Sequence, residues 1–237
     1  MAERVSIRID GELIEADEDM TLFEVAQKSG KFVPGICQLQ GLTSVGACRL
    51  CVVEVAGVNR LLPSCTTPVQ AGMSVVTNSA RLNSYRRMVL ELLLAEGNHV
   101  CSVCVSNNHC ELQTLAQKLG VTHVRYGYSY PKRSVDASHP RYVLDHNRCI
   151  YCTRCVRVCA EVEGAHVWDI MGRGVSSRVG AEMNRPWGMA KSCTSCGKCV
   201  QVCPTGALAE RGFAAGEMVK KPDAVTRLAT LRRSAYG

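Results

Sequence analysis

Cys193-Thr194-Ser195-Cys196-Gly197-Lys198-Cys199-Val200-Gln201-Val202-Cys203-Pro204 spaces its cysteines as C-x2-C-x2-C-x3-C, and the same spacing occurs upstream at Cys149, Cys152, Cys155 and Cys159. Thiolates at this spacing wrap one face of an iron–sulfur cube, and a helix starting after the third directs the next cysteine elsewhere. The tandem therefore predicts two 4Fe–4S centres that exchange their fourth ligands. Cys149, Cys152, Cys155 and Cys203 form one set, and Cys193, Cys196, Cys199 and Cys159 the other. The competing reading, a pair of zinc ribbons, leaves the third cysteine of each run without a tetrahedral role. Gly197 and Gly206 allow close approach of backbone N–H groups to the sulfides, and Ala160 stands where the first run lacks a proline.

Upstream, Cys37, Cys48, Cys51 and Cys65 are spaced C-x10-C-x2-C-x13-C within Pro34-Gly35-Ile36-Cys37 and Gly46-Ala47-Cys48-Arg49-Leu50-Cys51. This is the plant-type 2Fe–2S pattern with a longer first loop, and small Gly46 and Ala47 suit a chain folded tightly around a cluster. Between the two regions lie Cys101, Cys104 and Cys110, three cysteines without a fourth. A neutral imidazole can replace a thiolate on iron, and His99 at the end of a helical stretch completes a third 4Fe–4S set. His109 is the rival, but its adjacency to Cys110 makes a shared cube awkward. All 15 cysteines then have a use, and the odd count requires the histidine.

Composition agrees. The 237 residues include only 3 Phe and 2 Trp, so cohesion must come partly from something other than large side chains. Met1-Ala2-Glu3-Arg4 shows no apolar leader, and the run Met88–Ala95 is far too short to span a bilayer. A cytoplasmic chain this rich in cysteine points to metal rather than disulfides. The formal charge of +7 is scattered along the chain, which argues against nucleic acid. Oxidised clusters with their thiolates contribute about −2 per all-cysteine site and about −1 for the His/Cys3 site, so the loaded chain is near neutral.

The local patterns predict an α+β chain. Val5, Ile7 and Ile9 alternate, Asp10-Gly11 signals a hairpin, and Leu13-Ile14 resume the strand. Thr21 and Glu24 form a capping box before a short helix closed by Ser29-Gly30. Short strands at 51–55, 61–62 and 74–77 complete a β-grasp-like 2Fe–2S domain over residues 1–78. A helix of about 17 residues runs from Ser79 towards Gly97 on Leu82, Tyr85, Met88, Val89, Leu92 and Leu93, and a second covers 111–119. These form a His/Cys domain with linker, residues 79–135, in which 126–140 reads as linker. The two-cluster ferredoxin-type domain occupies 136–212 and a basic tail 213–237. Lys220, Lys221, Arg227, Arg232 and Arg233 of that tail read as a solvated helix or frayed end. Trp168, Trp187, Tyr126, Tyr128 and Tyr130 either pave a subunit interface or cover clusters.

The order of these motifs resembles the N-terminal iron–sulfur region shared by the large iron–sulfur subunit of complex I and FeFe-hydrogenases. Both usually place the histidine four residues before its first cysteine, where this chain has Gly97. The shorter His99-Val100-Cys101 spacing resembles the small diaphorase subunit of bidirectional NAD-reducing NiFe-hydrogenases. So do Asp145-His146-Asn147-Arg148-Cys149, Glu163-Gly164-Ala165-His166-Val167-Trp168-Asp169 and Cys193-Thr194-Ser195-Cys196-Gly197-Lys198-Cys199. The resemblance implies an electron-relay subunit of an oxidoreductase complex. One partner would carry FMN and exchange hydride with NAD(H), and another would carry the NiFe site. About 30 residues follow Cys203, whereas a complex I subunit or an FeFe-hydrogenase continues for several hundred. No G-x-G-x-x-G precedes a helix, so neither NAD nor flavin is expected on this chain, and no residue is assigned to catalysis. The related alternative is the relay of an NAD-dependent formate dehydrogenase or a complex I-like NADH dehydrogenase.

Overall fold

A computed structural model describes residues 4–236. Met1–Glu3, where the leaderless start was read, and Gly237 lie outside the described residues. The chain begins with β1 (Arg4–Ile9) and β2 (Glu12–Asp17), antiparallel with Ile9 opposite Glu12. Asp10 and Gly11 both take positive φ, 49° and 87°, the geometry that a two-residue hairpin of this twist demands. α1 (Leu22–Lys28) starts at the expected capping box: Thr21 Oγ1 accepts from the Glu24 N–H at 3.3 Å, and Glu24 Oε2 accepts from the Thr21 N–H at 2.8 Å. β3 (Val52–Val55), β4 (Leu62–Pro63) and β5 (Ser74–Val76) complete a five-stranded sheet of order β2-β1-β5-β3-β4, with β1 and β5 parallel. Ile7, Ile9, Val53 and Val75 from the sheet pack with Leu22, Phe23 and Val25 of α1.

α2 (Ala80–Glu96) is capped by the Ser79 side chain, followed by α3 (Glu111–Lys118). The predicted apolar stripe of α2 is only half right. Leu82 and Leu90 are buried, but so are Arg86 and Glu91, at 2 % and 4 % exposure, while Leu92 is 45 % exposed. Around α2 and α3 a second core joins Ile36, Cys37, Cys48 and Leu50 from the N-terminal region to Ile150 and Cys152 from the tandem region. The three cysteine regions therefore share buried surface.

The segment read as a linker ends in β6 (Val135–Asp136), which pairs with β7 (Tyr142–Asp145). α4 (Arg154–Arg157) passes into a π-helical turn over Val158–Glu163, a geometry frequent at functional sites. β8 (Trp168–Met171) and β9 (Arg178–Ala181) form a hairpin between the two cysteine runs. α5 (Lys198–Gln201) follows, and β10 (Leu208–Glu210) pairs with β7. The tail forms α6 (Pro222–Tyr236), on which Arg227, Arg232 and Arg233 are exposed as a solvated helix requires, but one face of it docks. Val225 and Ala229 are buried in the same core as Val158 and Val162, and the Arg232 guanidinium donates to the Val162 carbonyl. Ala229 lies so close to Gly41 that a Cβ there would overlap it at 2.7 Å. No helix among the described residues is long and apolar enough to cross a membrane.

Candidate metal centres

The four N-terminal cysteines are all buried, with Cys51 Sγ 3.3 Å from Cys65 Sγ. Hydrogen bonds from the Cys48 and Cys65 thiols bring Cys37 down to about 2, and the Cys65 thiol brings Cys51 to about 7. Cys48 and Cys65 are pushed up in return. The loop around them turns through left-handed residues at Gly46 (φ 61°) and Arg49 (φ 58°).

In the middle region Cys104 is buried, Cys101 and Cys110 half-buried. His99 Nε2 is a buried nitrogen with no hydrogen-bond partner, and burial pushes the imidazole down to about 4, leaving its lone pair free. Arg148 faces both His99 and Cys101, and Gly206 packs directly on the Cys104 sulfur beside the Arg148 side chain. His109 is exposed and borders a groove on the far side of Cys110, between α1 and α3. The unpartnered nitrogen thus belongs to His99.

The tandem cysteines separate into two cavities. Cys149, Cys152, Cys155 and Cys203 line one, and Cys159, Cys193, Cys196 and Cys199 line the other. Each cavity takes its fourth cysteine from the opposite run. Tyr151, Thr153, Ser195 and Gly197 between the cysteines adopt positive φ of 52–72°, the curled backbone that turns N–H groups towards an anion. Only Gly197 was legible beforehand. Among the described residues no three ligating side chains converge on a position for a single metal ion.

Sequence reasoning missed three buried arginines that hold these loops together. Arg86 donates from Nε to the Leu50 carbonyl (3.3 Å) and from Nη2 to that of Val52 (2.8 Å), on either side of Cys51. Arg157 donates from Nη2 to the carbonyls of Cys37 (2.6 Å) and Cys152 (3.1 Å), and from Nη1 to Thr43 (2.6 Å). It therefore ties the N-terminal set to the tandem. Arg154 pairs with Glu111, next to Cys110, at 2.6 Å and donates to the carbonyls of Gln38 and Val202. Among the described residues, neither Arg86 nor Arg157 forms an ion pair with a carboxylate. A buried cation needs a compensating anion; Cys51 and Asp10 lie near Arg86, and Cys152, Cys37 and Glu161 near Arg157. Anionic clusters on those thiolates fit that requirement, and the orphaned His99 nitrogen offers its lone pair to a metal.

Comparison with known proteins assigns all three regions. The 2Fe-2S iron-sulfur cluster binding domain matches residues 2–80, the NADH-ubiquinone oxidoreductase-G iron-sulfur binding region 86–125, and the ferredoxin-like domain of NADH-quinone oxidoreductase subunit 3 residues 140–209. The NADPH-Fe(3+) oxidoreductase subunit alpha of Geobacter sulfurreducens is 34 % identical over 88 % of this chain, which spans only 24 % of that protein. The NAD-reducing hydrogenase HoxS subunit gamma of Cupriavidus necator is 32 % identical, with 87 % of each chain covered. A chain in a crystal structure of NAD+-reducing [NiFe]-hydrogenase in the H2-reduced state superposes with a TM-score of 0.84 at 35 % identity, covering 98 % of this chain and 99 % of that one. Iron–sulfur matches over all three cysteine regions, together with near end-to-end correspondence to these last two chains, place the protein in the family of the gamma subunit of NAD-reducing hydrogenases.

Proposed function

We propose that this chain is the iron–sulfur relay of a hydrogen:NAD+ oxidoreductase, carrying single electrons between a flavin subunit that handles NAD(H) and a NiFe hydrogenase module. The carrying observation is the sorting of the tandem cysteines into two four-cysteine cavities, beside a buried four-cysteine set and the unpartnered His99 nitrogen. On this reading Cys37, Cys48, Cys51 and Cys65 hold a 2Fe–2S cluster in a β-grasp domain, residues 1–78. His99, Cys101, Cys104 and Cys110 hold a 4Fe–4S cluster within residues 79–135. Cys149, Cys152, Cys155 and Cys203 hold the next, and Cys159, Cys193, Cys196 and Cys199 the last, within 136–212; residues 213–237 form the tail. When bound, these groups supply one-electron carriers and nothing else.

The protein's own part is positional and electrostatic. Arg157 fixes the Cys37 loop against the Cys152 loop, and Arg154 fixes the segment after Cys110 beside that before Cys203. Their charges offset those of the reduced centres. Relatives that are hydrogenase subunits support a cytoplasmic hetero-oligomer with flavin and NiFe partners. The match to the NADPH-Fe(3+) oxidoreductase supports a second reading, a relay serving another dehydrogenase. Native purification followed by mass spectrometry and nickel analysis separates the two. Co-purifying flavin- and nickel-bearing subunits are expected, and a nickel-free complex with a formate or quinone enzyme contradicts the first reading.

Gly206→Ala supplies a local test. A methyl group there overlaps the Cys104 sulfur and comes within 3.2 Å of Arg148 Cδ. The variant is expected to lose the His99-containing centre, about 4 of about 14 irons, while its 2Fe–2S EPR signal persists. Full retention of iron contradicts the placement of Cys104.

A further inference from the structure

Both tryptophans of the chain serve the same cavity. Trp187 is 1 % exposed, and its indole Nε1–H donates to the Cys193 sulfur at 3.4 Å. Trp168 packs edge-on against it, ring centroids 4.7 Å apart, and lines the same cavity as Cys199. The backbone N–H of Val167 donates to the Cys159 sulfur at 3.4 Å. The Lys198 ammonium stands near Cys196 and Cys159. Two of the four sulfurs in this set therefore accept N–H hydrogen bonds, one of them from an indole.

The indole donor is held rigidly. The Trp187 backbone N–H donates to Asp136 Oδ2 at 2.7 Å, and its ring stacks on Tyr142 at 5.4 Å and against His139 at 4.7 Å. The twin cavity differs. Its apolar walls include Leu144, Ile150, Val179 and Leu208 with no tryptophan, and Arg154, Arg157 and Lys220 stand near its Cys152 and Cys203. The Thr205 hydroxyl is 3.8 Å from Cys203 but donates to the Arg148 carbonyl at 2.7 Å. Cys196 is exposed, whereas Cys152, Cys155 and Cys203 are buried.

We propose that Trp187 is a potential-setting residue, which by donating its indole N–H to Cys193 raises the potential of the Cys159/Cys193/Cys196/Cys199 centre. The proposal rests on the ligand sets given above. Taking up one electron adds one negative charge to the cluster, and a fixed N–H dipole aimed at a ligand sulfur stabilises that charge. Solvent exposure at Cys196 works in the same direction.

The test uses the full chain with its clusters loaded anaerobically, followed by redox-poised EPR. Trp187→Phe keeps the aromatic packing and removes the donor. Its expected result is a lower midpoint potential for one 4Fe–4S centre, with the other centres and the iron content unchanged. An unshifted potential in Trp187→Phe with full iron overturns the proposal. Should the variant lose iron, indole-15N tryptophan in the unsubstituted chain decides. A 15N coupling on one reduced 4Fe–4S signal supports it, and its absence from every signal overturns it. Fewer than three 4Fe–4S signals in the unsubstituted chain would instead indict the ligand sets.

Discussion

Arg157→Met is expected to destabilise the loaded chain by about 3–5 kcal/mol, the range for removing one member of a buried charge cluster. Arg157 is 6 % exposed. Methionine fills a similar volume but leaves the carbonyls of Cys37, Thr43 and Cys152 without their donors, at about 1–3 kcal/mol for each group left buried and unpaired. It also removes the positive charge facing two cluster loops. Arg157→Lys keeps the charge but cannot span three acceptors from one planar group, so an intermediate loss is expected. Urea unfolding followed by cluster absorbance reads the effect. Arg173→Met, at an exposed position, is the control, with a change within about 0.5 kcal/mol. An Arg157→Met midpoint equal to that of the control contradicts the bridging role.

His99→Ala is expected to lose one whole centre, dropping iron from about 14 to about 10 per chain, whereas His109→Ala leaves it unchanged. The difference follows from placement: His99 Nε2 is buried and unpartnered, His109 is exposed. His99→Cys should retain a cluster but lower its potential, because a thiolate brings one more negative charge to the site. An unchanged potential in His99→Cys, or iron loss in His109→Ala, would reverse the assignment. Asn147 anchors the segment just before His99, its carbonyl accepting from the Asn98 N–H at 2.9 Å and its side chain from Asn98 Nδ2 at 2.7 Å. Asn147→Ala should therefore weaken the same centre without removing a ligand.

The cysteine spacing carried most of the site because covalent neighbours constrain a cube directly. The spacing groups Cys203 with the first run and Cys159 with the second, and those same sets line the two cavities; the Asp10-Gly11 hairpin was legible because it depends on local backbone preference alone. Arg86, Arg154 and Arg157 were not legible, since an arginine inside a helical pattern is ordinarily solvated. Their burial depends on anionic loops more than 30 residues away in sequence, such as Leu50 for Arg86. The same long-range origin hid the docking of α6: Ala229 is buried because Gly41, near the opposite end of the chain, offers no side chain there. Trp168 and Trp187 were recognisable as cluster covers or interface residues, but only the tertiary fold brings both to one cavity and turns the Trp187 indole N–H onto the Cys193 sulfur. The formal charge of +7 also changes meaning. Part of it is buried against the cysteines and is not displayed to a polyanion.

The central claim is that sixteen side chains, His99 and the 15 cysteines, hold four clusters. Metal and acid-labile sulfide analysis of the natively purified chain, quantified per polypeptide, tests it most directly. The account predicts about 14 irons and about 14 sulfides, with no stoichiometric zinc. Stoichiometric zinc without labile sulfide would contradict it.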